Sequence, residues 1–129
     1  MQPVNKGVIR AINRTRGTVL CSHLEDAGGS LGHGRGLLGR SALEPGQGMI
    51  FRRGRLQPFM WMHMFFMRFP IDVIFLDRED IVVAIDHQLK PWTVSTIVPR
   101  AHKAIETAAG AASRSATQLG DLIAFEERG

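Results

Sequence analysis

The residues best equipped for chemistry are crowded into "FMWMHMFF", residues 59–66. Met60, Met62 and Met64 recur there at every second position, and Met67 follows. Side chains of an extended strand alternate between its two sides. The three thioethers would therefore share one side, and Phe59, Trp61, His63 and Phe65 the other. Thioethers are soft donors that suit Cu(I). A soft-metal carrier through Met60, Met62 and Met64, with Cys21 or Met67 as a further ligand, is one chemistry this spacing allows. Methionine is also an adaptable core filler that packs well on rings. Cys21 is the single cysteine, so no thiolate pair exists, and no Met-His motif repeats. Packing is the preferred reading, and neither a metal nor a cofactor is expected.

Asp72 is the next candidate. In "FPIDVIFL" its neighbours on both sides of the strand are apolar, so it is expected to be at least partly buried. A buried carboxylate must be paired, hydrogen-bonded or protonated. As an anchor it would accept backbone N–H groups from a helix or from a bulge near Pro70, with Arg68 and Arg35 as possible ionic partners. As a catalytic group it would exchange protons, with His63 as its partner. The anchor reading is preferred, because such carboxylates also occur in purely structural networks. Glu106 interrupts "HKAIETAAG" in a similar way. Asp121, after Gly120, reads as a turn residue. No Ser-His-Asp, Cys-His or H-E-x-x-H arrangement is visible, so whether the chain is an enzyme stays open. The candidate ligand-binding set is Trp61, Met62, His63, Met67, Asp72 and Glu106.

These side chains need elements to position them. The chain has 129 residues, 44% hydrophobic and 22% charged, values that fit one globular domain with a real core. "GVIRAIN" and "TVLCSHL" flank a turn and read as a hairpin, residues 7–13 and 18–24. "HGRGLLGRSAL" reads as a short helix over 34–42, ended by "EPG". Its G-x-G-x-x-G lacks a preceding strand and a following βαβ unit, so a dinucleotide site is not inferred. "GMIFRR" reads as a strand, "FMWMHMFF" as a strand or extended segment, and "PWTVSTIVP" as an edge strand or connection. "IDVIFLD" (71–77) and "IVVAIDHQL" (81–89) form the strongest hairpin. "AHKAIETA" and "LIAFE" supply two more strands, separated by a loop with a helical turn. About eight short strands and one helix result. Trp61, Ile74, Phe75 and Leu38 are expected in the core.

The order and spacing of "RGLLGR", "GQGMIF", "WMHMFFMRFPIDVIFLD", "AIETAAG" and "GD" resemble the domain of unknown function 192 family, small bacterial and archaeal domains. The resemblance implies a compact β-rich domain with one short helix and keeps an acid at Glu106; it implies no activity. The fold class expected is α+β and β-rich: a small, barrel-like, mainly antiparallel sheet with a helix packed across it, in a single domain spanning residues 1–129.

Sixteen Lys and Arg against twelve Asp and Glu give a formal charge of +4, with "RRGR" at 52–55. So small an excess, with no recognisable module, implies no specific nucleic-acid binding. No apolar run reaches the ~20 residues of a membrane span, and "MQPVNKGVIRAINRTRG" lacks the apolar centre of a signal peptide. A soluble, cytoplasmic protein is expected. Its leading function is a non-enzymatic binding or accessory module with a groove near Met62–Asp72, taking a small ligand or a protein partner. Acid-base catalysis by Asp72 and His63 is the alternative. Oligomeric state is left open.

Overall fold

The computed structural model describes residues 9–26 and 41–127. Seven strands, β1 (Ile9–Asn13), β2 (Thr18–Asp26), β3 (Gln47–Arg52), β4 (Ile71–Leu76), β5 (Val82–Leu89), β6 (Lys103–Ala108) and β7 (Ile123–Glu127), form one sheet in the order β5-β4-β6-β3-β2-β1-β7. β2 and β3 run parallel, and every other neighbouring pair is antiparallel. The two ends of the sheet curl toward each other. Ile81 bridges Leu122, and Val82 N–H donates to the Asp121 carbonyl at 2.9 Å. The result is a half-barrel. One short helix, α1 (Ala111–Arg114), sits against it. Among the described residues no helix is long and apolar enough to cross a membrane.

All six residues of β4, "IDVIFL", are buried. A strand covered on both faces can afford apolar side chains at successive positions, and β4 divides two cores. On the concave face, Ile74 and Leu76 pack with Leu24, Ile50, Ile105 and Ile123 under Ala111 and Ala112 of α1. On the opposite face, Ile71, Val73 and Phe75 pack with Phe51 and Ala104 beneath Met60, Met62, Met64 and Met67. Burying each large side chain of this kind contributes roughly 1.5–3 kcal/mol.

Several expectations change. Of the two readings given to each, the segments 59–66 and 91–99 take the second, an extended segment and a connection, rather than strands. They run antiparallel and meet at two isolated bridges, Met60 with Val98 and His63 with Val94. Seven of the nine candidate segments are strands. The expected alternation holds from Met60 to Phe65, and the methionines pack in the core as preferred, but the ring side faces outward: Trp61 is 41% exposed. Trp61 is not a core residue, whereas Ile74 and Phe75 are fully buried. The helix read over 34–42, with Leu38 and Arg35, falls largely outside the described residues. The described helix, α1, lies in the stretch read as a loop with a helical turn.

Candidate functional site

Asp72 is completely buried on the concave face. Its Oδ1 accepts Gln88 N–H at 2.8 Å, and its Oδ2 accepts Gly110 N–H at 3.1 Å and Ala112 N–H at 3.0 Å. Each donor is orphaned by a local irregularity. Gln88, at φ 49°, lies in a bulge where two steps along β4 oppose three along β5. Gly110 and Ala112 stand at the start of α1, where no preceding helical carbonyl is available. The carboxylate thus joins a bulge to a helix terminus, and no side-chain cation is involved among the described residues.

Glu106 lies on β6 between Met49 of β3 and Val73 of β4. It shares the methionine-covered face with Ala104 and Ala108. It is 5% exposed, and its carboxyl makes no hydrogen bond with a described residue. Burial without compensating donors pushes its carboxyl up to about 8, so it is largely protonated at neutral pH.

The candidate set is therefore split among three places. Asp72 faces α1 on one side of the sheet. Met62, Met67 and Glu106 belong to the core on the other side. Trp61 and His63 stand on the outer surface of the segment that covers that core. The sheet separates His63 from Asp72. Cys21 packs in the concave core, across the sheet from the methionines, and burial pushes its thiol up to about 11. Among the described residues no three His, Cys, Asp or Glu side chains gather as a metal site.

The outer surface of the 59–67 segment carries a ridge of rings. His63 and Phe65 stack, with centroids 5.1 Å apart and planes 22° from parallel. Trp61 leans on His63 at 6.4 Å. Phe66 meets Trp92 at 4.8 Å with planes 58° apart. Phe66 is 70% exposed and Trp92 60%. Both tryptophans of the chain belong to this ridge. It stands on a closed backbone frame: Met62 N–H donates to buried Ser95 Oγ at 2.7 Å, and Ser95 N–H returns a bond to the Met62 carbonyl at 2.8 Å. Met64 N–H donates to the Thr93 carbonyl, and Trp92 N–H to the Met64 carbonyl, both at 2.7 Å.

Two ridge residues have left-handed backbones, Phe66 at φ 66° and Trp92 at φ 67°. That region is costly for bulky side chains, on the order of 1 kcal/mol or more each. Trp92 follows Pro91 in a turn, at the place where a positive φ ordinarily selects Gly or Asn. Alternation along the chain could reveal Trp61, His63 and Phe65 as one face. It could not reveal Phe66 or Trp92, because a left-handed residue breaks the alternation. A bulky ring after a turn proline was the available signal for Trp92.

An opening of about 470 Å³ runs beside β5 and is lined by Ile85, His87, Thr96 and Leu119 among others. Its one carboxylate, Asp86, is occupied by Thr96, which donates N–H at 2.7 Å and Oγ1–H at 2.9 Å.

Asp121 is more than a turn residue. It is buried, and its Oδ2 accepts from Asn13 Nδ2 at 2.9 Å, Arg16 Nε at 3.0 Å and Gln118 N–H at 2.9 Å. Burial alone would raise its pKa, but these donors and the Arg16 charge hold it below the ordinary carboxylate value. Asn13, also buried, donates to Thr117 Oγ1 at 3.0 Å. This network ties the β1–β2 turn to the loop before β7.

A family model, that of the domain of unknown function 192, described as an uncharacterized ACR, matches residues 11–125. The chain belongs to that family. No curated protein matches the sequence. A protein of unknown function from Novosphingobium aromaticivorans has a similar structure, with a TM-score of 0.74 and 24% identity over 90% of this chain and 82% of that one. A putative transcription regulator from Sinorhizobium meliloti is similar too, with a TM-score of 0.74 and 23% identity over 91% of each chain. At these identities the likeness concerns the fold alone.

Proposed function

We propose that this domain is a soluble, cytoplasmic, non-enzymatic binding module, and that its binding face is the ridge formed by Trp61, His63, Phe65, Phe66 and Trp92. One observation carries the reading. Two large rings are held exposed on left-handed backbone, where Gly or Asn would cost less and where the rings add little to either core. Strain of this kind at an exposed site points toward function rather than folding. The contiguous apolar surface beside it has the character of an interaction site.

Acid-base catalysis by Asp72 and His63 has weaker support. Asp72 already accepts three backbone N–H groups, and His63 lies beyond the opposite core. A soft-metal carrier is also disfavoured, because Met60, Met62 and Met64 pack against one another's neighbours in a closed core.

The test is thermodynamic. Phe66→Asn and Trp92→Asn should leave stability unchanged or raise it by up to about 1 kcal/mol, because asparagine tolerates the left-handed region. Urea denaturation measures this. If each substitution costs more than about 1 kcal/mol, the rings serve packing and the binding reading fails.

A further inference from the structure

We infer that the ring ridge docks onto an anionic lipid bilayer surface. The inference rests on the reading of the ridge as a binding face and adds the chemistry of the partner. Its independent support is the charge around the rings. The ridge residues lie at 61–66 and 92, within two stretches, 53–71 and 87–101, that contain none of the chain's twelve acidic residues. Those stretches contain Arg53, Arg55, Arg68, Lys90 and Arg100. Arg53 is engaged by the Pro58 and Pro99 carbonyls and by His102. Arg68 and Lys90 are exposed and make no ion pair with a described residue. They flank the Phe66–Trp92 pair, Arg68 two positions after Phe66 and Lys90 two before Trp92. The nearest acids in sequence are Asp72, which accepts three backbone N–H groups on the other side of the sheet, and Asp86, which is held by Thr96.

Aromatic side chains flanked by two cations with no ion pair among the described residues match the two layers of an anionic bilayer surface. Trp and Phe settle at the boundary between headgroups and acyl chains. Each Lys or Arg near the negative surface strengthens binding by about fivefold. Nucleic acid would share the charge but would use the rings differently. Bases stack on rings set along a groove lined with cations; here His63 and Phe65 each cover one face of the other, Phe66 meets Trp92 at a tilt, and only Arg68 and Lys90 flank that pair. The absence of a spanning helix among the described residues does not bear on contact of this kind, which lies in the plane of the interface.

The experiment uses the whole chain with vesicles of equal parts phosphatidylglycerol and phosphatidylcholine, and with pure phosphatidylcholine. Co-sedimentation measures binding. Tryptophan emission reports insertion directly, because both tryptophans stand on the ridge and the chain has no tyrosine. The expected result is binding to the anionic vesicles with a blue shift and quenching by brominated acyl chains, and at least about tenfold weaker binding to phosphatidylcholine. The Phe66→Asn/Trp92→Asn double variant should lose binding by about tenfold or more, and Arg68→Gln and Lys90→Gln by about fivefold each. Absence of binding, or binding that the double variant retains in full, overturns the inference. So does tighter binding to a single-stranded oligonucleotide at physiological salt, which would assign the face to nucleic acid. If the ring variants keep their stability yet vesicles are not bound, the lipid assignment fails and the binding face stands. If the ring variants unfold, both fail together.

Discussion

Asp72 and Glu106 occupy adjacent strands of one sheet, and both are nearly sealed from water. They point to opposite faces and live in opposite circumstances. Asp72 accepts three backbone N–H groups. Glu106 has apolar neighbours on its face and no hydrogen-bond partner among the described residues. A buried carboxylate is therefore not in itself a sign of chemistry; what matters is the supply of donors. Around Asp72 the fold generates donors through its own irregularities, a bulge and a helix start, and the carboxylate absorbs them. Around Glu106 the ladder is regular on both sides. Every nearby N–H is already used, and the carboxyl responds by holding its proton.

The largest effect should come from removing the first carboxylate. Asp72→Ala leaves three interior donors without an acceptor and should destabilise by roughly 3–5 kcal/mol, and Asp72→Asn by roughly 1–3 kcal/mol. Urea denaturation at neutral pH reads both. A loss below about 1 kcal/mol for the alanine variant would mean that water replaces the carboxylate, erasing the contrast with Glu106.

Glu106→Gln should act in the opposite direction and depend on pH. Burial raises the folded pKa from 4.5 to about 8. The favourable contribution of the neutral acid is fully present below pH 4.5 and is lost as pH rises through about 8. Parent and variant should respond alike below pH 4.5. The gap should then widen in favour of the variant, reaching on the order of 5 kcal/mol above pH 8. Denaturation midpoints across pH 4–9 decide the matter. A gap that does not change with pH would show that Glu106 is solvated or paired in solution.

The smallest effect sharpens the account of Asp72. Gln88 has an exposed side chain and φ 49°. Gln88→Gly keeps the N–H that reaches Asp72 and removes the backbone strain. It should stabilise by a few tenths to about 1 kcal/mol, offset in part by the greater freedom of glycine in the unfolded chain. Destabilisation greater than about 1 kcal/mol would point to an unrecognised role for the glutamine side chain.

Local patterns made much of this architecture legible. The β4–β5 hairpin follows from two β-branched runs around a polar turn. Asp72 could be read as an anchor because no side of "FPIDVIFL" offers it water. Features that depend on distant residues were not legible. Trp61 looked like core because aromatic residues usually are; which side of an alternating segment turns inward depends on the sheet it covers. Asp121 looked like a turn residue because its partners, Asn13 and Arg16, lie more than a hundred positions away. The difference between Asp72 and Glu106 was invisible for the same reason. Both sit in apolar strands, and only the register of neighbouring strands settles which one meets free N–H groups.

The covering segment has a consequence for how this gene can vary. Residues 59–66 lack the ladder of a strand, and a segment outside regular structure ordinarily tolerates length changes. Here methionines inward and rings outward alternate with a period of two, and the bridges at Met60–Val98 and His63–Val94 fix which is which. One inserted or deleted codon between those bridges would rotate the remainder by one place, exposing thioethers and driving rings toward Glu106. Such changes should therefore come in pairs, or not at all.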